Sequence, residues 1–105
     1  MDIATAIQKL EVEWEMVEGE GFFGQLKYGY FFDEDGFQRV QKILNSVEIP
    51  EGELLDKRFV EVTWFIPIFL LWQRPAWVQD RKDTEPLDRA IDYFSGRLTT
   101  ILGLP

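Results

Sequence analysis

Carboxylates and aromatic rings are the side chains here with most chemistry to offer, and they crowd into the first third of the chain. Glu11, Glu15 and Glu18 recur at helical spacing, with Glu13 and Glu20 beside them. After them Gly19, Gly21, Gly24 and Gly29 are interleaved with Phe22, Phe23, Tyr28, Tyr30, Phe31 and Phe32, and Asp33 closes the segment. Like charges one helical turn apart repel by about 0.2–0.5 kcal/mol. Such a stripe is either a solvated face or a docking strip for Lys and Arg on a partner. The rings divide in the same way: they cap the end of a core, or some stay outside as an anchor, for which tyrosine is best suited. The partner-binding set read from this pattern is Glu11, Glu15, Glu18, Glu20, Phe22, Phe23, Tyr28, Tyr30 and Asp33, an aromatic patch with an acidic rim.

Catalysis has little to draw on. The chain has no histidine and no cysteine, which removes the commonest general base, the thiolate nucleophile and the usual zinc ligands. Ser46, Ser95, the threonines and the lysines remain without a base to activate them, and no spacing of carboxylates marks a catalytic pair. Asp33-Glu34-Asp35-Gly36 suggests calcium, but an EF-hand loop beginning at Asp33 needs a glutamate where Leu44 stands. Di-iron bundles need Glu-x-x-His pairs that this chain cannot supply. The expectation is a non-enzyme with no metal and no cofactor.

Charge narrows the choice of partner. Residues 1–53 hold twelve acidic against four basic side chains, while residues 54–105 hold seven of each, so the whole net charge of −8 belongs to the first half. That disfavours nucleic acid and anionic membrane there and favours a basic protein or cations.

Four helices are expected to position these groups. Ile3, Ile7, Leu10, Trp14 and Val17 follow steps of four and three from an Asp2 cap to a stop at Gly19. A short helical piece over Phe22 to Tyr28 fits within the aromatic loop. Asp33 caps a second helix with Phe37, Val40, Ile43, Leu44 and Val47 as its buried stripe. From Glu53 to Arg74, Leu55, Phe59, Val62, Ile66 and Phe69 predict a third, apolar all round beyond Glu61 and therefore enclosed on every side. Pro67 cannot donate to the carbonyl of Thr63, so a kink is expected there. Arg74 to Asp83 reads as a connection. A last helix from Thr84 or Glu85 buries Leu87, Ile91, Phe94, Leu98 and Ile101, with Leu102 as C-cap, Gly103 beyond it and Leu104 folding back onto Leu98.

The fold expected is an all-α, compact four-helix bundle-like single domain over residues 1–105, with a kinked apolar third helix at its centre and its C-terminal cap intact. The alternative is α+β, should residues 58–66 form a strand. With no secretory signal pattern, the cytoplasm is the expected location. The eleven uncharged residues Val62 to Trp72 are too few to span a bilayer. The function expected is a non-enzymatic protein-binding module, such as an acidic inhibitor or immunity-type protein that neutralises a basic partner. The alternative is a homo-oligomeric scaffold using the apolar third helix, and a weaker third is a small-ligand pocket walled by aromatics.

Overall fold

A computed structural model of the chain describes residues 1–16, 20–29 and 31–105. Among them there are six α-helices and no strand, so the all-α expectation holds and the α+β alternative falls. The helices are α1 (Ile3–Glu13), α2 (Phe22–Gly29), α3 (Glu34–Asn45), α4 (Lys57–Thr63), α5 (Ile66–Gln79) and α6 (Glu85–Leu102). None of the described helices is long and apolar enough to cross a membrane.

Local chemistry sets most of the boundaries. The Asp2 carboxylate accepts from the Thr5 amide at 2.7 Å and starts α1. That helix ends at Glu13 with Trp14 as C-cap, earlier than expected, and Val17 and Gly19 lie outside the described residues. Asp33 stands at the N-cap of α3 as predicted, but its side chain makes no cap bond; it lies 3.7 Å from Arg39 instead.

The segment expected as one kinked third helix is two helices. Pro67 offers no N–H to the Thr63 carbonyl, and the helix ladder is interrupted at Trp64 and Phe65 although both keep right-handed helical angles. Pro67 thereby falls in the first turn of α5, where its missing donor costs nothing. The predicted connection after Arg74 is helical as far as Gln79, running through Pro75 and burying Trp77. At the other end, Gly103 with φ of 88° is itself the cap of α6, and Leu104 is 78% exposed, so it does not fold back onto Leu98.

The helices close over one core rich in aromatic rings, most of them meeting edge-on or tilted. Phe22 and Phe23 on α2 are fully buried and meet Phe37, Phe69 and Phe94, each from a different helix. Val40, Ile43, Leu44 and Val47 are buried as predicted, as are Leu87, Leu98 and Ile101, with Ile91 packed at the edge. On the α3–α6 side, Arg97 donates to the carbonyls of Leu44 and Val47 at 3.0 and 2.9 Å, satisfying the end of α3. The apolar run, however, is not enclosed. Trp64, Leu71 and Trp72 are half or more exposed, because α5 packs chiefly on α6 and leaves one face open.

Candidate functional site: an acidic-rimmed groove between α1 and α4

Asp56 initiates α4 by accepting from the amides of Arg58 and Phe59 at 2.8 and 3.1 Å. This fixes Arg58 opposite the end of α1, where its guanidinium donates to Glu11 at 3.1 Å and lies 3.7 Å from Glu61. Trp14 joins the same two helices below, its indole N–H donating to the Val62 carbonyl at 2.8 Å. The indole stacks on Phe23 with ring centroids 4.0 Å apart, which locks its orientation.

Between the two helices runs an open groove of about 560 Å³. Trp14, Met16, Val62 and Phe65 supply its apolar surface, and Glu11, Glu15 and Glu61 its acids, with Arg58 the single base among them. Phe65 extends the apolar surface outward, since its ring meets Trp64 at 5.4 Å and Trp72 edge-on at 5.0 Å. The groove thus offers half-covered rings beside carboxylates that keep access to water. That combination suits a segment with both apolar and cationic side chains.

The predicted site residues are dispersed by this arrangement. Glu11 and Glu15 come together in the groove, and Glu20 and Tyr28 are exposed. Glu18 and Tyr30 lie outside the described residues. Phe22 and Phe23 are corrected from partner contacts to core: both are wholly buried, because α2 turns them inward against α3, α5 and α6. Asp33 is half-buried beside Arg39. Arg58, Glu61, Met16 and Phe65 were not anticipated, since nothing in their spacing shows that α4 lies against α1.

Glu13, named only as lying beside the acidic stripe, is buried at 4% exposure. It lies three residues beyond the buried Leu10, on the inner face of α1, so helical spacing did carry this signal. Among the described residues, no group of three or more acidic side chains is placed to hold a metal ion. No family model, curated protein or solved structure matches the chain.

Proposed function

We propose that this chain is a non-enzymatic, cytoplasmic protein-binding module, of the acidic inhibitor or immunity kind, and that the α1–α4 groove takes a basic segment of its partner. The observation that carries the reading is the placement of Glu11, Glu15 and Glu61 around the rings of Trp14 and Phe65. Interfaces commonly combine aromatic anchors with a polar rim. Long-range attraction between an acidic chain and a basic partner speeds encounter, and the rim charges set register.

The test is capture of partners from native cells by wild type and by a Glu11→Lys, Glu15→Lys double variant, followed by titration of the purified partner. A basic protein is expected to bind wild type with an affinity that falls as salt rises from about 0.1 to 0.5 M, where the Debye length shrinks from about 10 to 4 Å. Charge reversal is expected to lower that affinity at least tenfold. Equal binding by both proteins, or binding indifferent to salt, counts against the groove.

A further inference from the structure

From Val62 to Gln79 the only charge is Arg74, and its guanidinium is already held by Asp88 at 2.9 Å. Because Trp64 and Phe65 keep helical backbone angles, Trp64, Ile68, Leu71, Pro75 and Val78 follow one continuous helical face, at steps of four and three. Trp64 is 52% exposed, Leu71 50%, Trp72 67% and Val78 53%. The two indoles alone leave on the order of 300 Å² to water, at about 250 Å² per tryptophan. The aliphatic neighbours bring the patch toward roughly 500 Å², as large as the biggest patch on a typical monomer and often functional at that size.

The face also has relief. Leu71, Arg74, Pro75, Val78 and Gln79 line a shallow groove of about 470 Å³ at its C-terminal half. At its N-terminal end Trp64 stands out, braced by Phe65. Trp64 and Val78 are equally distant from Leu71 in sequence, as are Pro67 and Pro75. A two-fold axis through Leu71 therefore sets the knob of each copy against the groove of the other, which is the self-complementarity an isologous contact requires.

Charge selects the occupant. A basic partner finds no acid between Val62 and Gln79, the adjacent Asp88 being already paired with Arg74, and an anionic lipid surface repels a chain of net charge −8. Two copies of that chain would repel each other too, except through a segment that carries no acid and whose one cation is paired. We propose that α5 is the seam of a homodimer, two copies packing this helix antiparallel about a two-fold axis at Leu71, with Trp64 of each in the groove of the other. This surface adjoins the α1–α4 groove at Phe65, which braces Trp64, but Leu71, Arg74, Pro75, Val78 and Gln79 are not shared with that groove, and the seam does not depend on what the groove binds.

The absence of cysteine makes the register directly testable. Leu71→Cys should form a disulfide-linked dimer on mild oxidation, because it sits on the axis. Val78→Cys should not link to itself, since seven residues on either side of the axis at 1.5 Å each separate the pair by about 21 Å. Wild type should sediment at twice its 12.4 kDa in low and high salt, and Leu71→Glu, at an exposed position, should sediment as a monomer with unchanged helicity. Wild type at 12.4 kDa, a dimer indifferent to Leu71→Glu, or Val78→Cys linking to itself would each overturn the proposal, as would insertion of the tryptophans into anionic vesicles by a monomer. The Glu11→Lys, Glu15→Lys variant should still dimerise, so failure of the groove and failure of the seam are distinguishable.

Discussion

Arg39 on α3 grips Glu13 at the end of α1 through two parallel hydrogen bonds, Nε to Oε2 at 2.8 Å and Nη2 to Oε1 at 2.9 Å. The Glu13 carboxylate also accepts from the Phe22 amide at 3.1 Å, so one buried side chain holds α1, α2 and α3 together. Hydrogen bonding to Glu13 is the main reason the Arg39 guanidinium is held above its ordinary value. Removing such an acceptor leaves the Phe22 amide buried without a partner and Arg39 with only the longer contact to Asp33 at 3.7 Å. The guanidinium is half exposed and regains water, which lowers the cost. Glu13→Ala is expected to destabilise the fold by about 2 kcal/mol, and Glu13→Gln, which keeps an acceptor for Phe22, by about 1 kcal/mol. Urea unfolding checks both, and equal losses in the two variants would show that the hydrogen bond from the Phe22 amide matters little.

Gly21 and Gly96 make an opposed pair. A Cβ on Gly21 would lie 2.3 Å from the Glu13 carbonyl oxygen and 2.5 Å from that of Val12, backbone atoms that cannot step aside cheaply. Gly21→Ala should cost about 2–3 kcal/mol through this overlap. Gly96 lies exposed within α6 with open space where its Cβ would be, so Gly96→Ala should stabilise by about 0.5–1 kcal/mol. The denaturation midpoints should move in opposite directions with the slope unchanged.

The Asp56 cap couples stability to the groove. Asp56→Ala removes the acceptor of two backbone N–H hydrogen bonds at the start of α4 and should cost about 1 kcal/mol. Because the same turn aims Arg58 at Glu11, partner binding at the groove should weaken as well. A stability loss with unaltered affinity would place the binding surface elsewhere.

Alkaline pH should loosen the α3–α6 contact. Burial raises the Tyr93 phenol above its ordinary value, against a smaller opposing pull from Arg97. The neutral hydroxyl sits 2.6 Å from the Asn45 side-chain oxygen, to which it donates. A folded-state value above the unfolded one means that this stabilisation is complete below the unfolded tyrosine value of about 10 and is lost as pH rises through the folded one. Tyr93→Phe should flatten that part of the stability profile, read by denaturant melts between about pH 8 and 11.

The stripes of α3 and α6 were legible in the sequence because their apolar residues recur at one period and face one core. Chain breaks caused by proline were legible in kind but not in position: Pro67 does end a ladder, yet the interruption falls two residues before it, while Pro75 lies inside a helix. Phe22 and Phe23 were ambiguous because a glycine-rich aromatic loop reads alike as core or as anchor, and only the packing of α2 against three other helices decides it. The groove was not legible at all. Glu11 and Arg58 meet only because α4 lies along α1, a long-range pairing that no local pattern encodes.

The long-range bonds of α1 also bear on how the chain assembles as it is made. Glu13 waits for Arg39, Glu11 for Arg58, and the Trp14 indole for the carbonyl of Val62. Synthesis proceeds from the N-terminus at about 5–20 residues per second. During synthesis α1 thus gains its first clamp only with Arg39 and lacks the last until Val62 has been made. By contrast, α5 and α6 are joined by a short turn and pack on each other, so each finds its neighbour soon after it is made. For several seconds the acidic N-terminal segment is open to chaperones, and its own charge helps to keep it from associating prematurely.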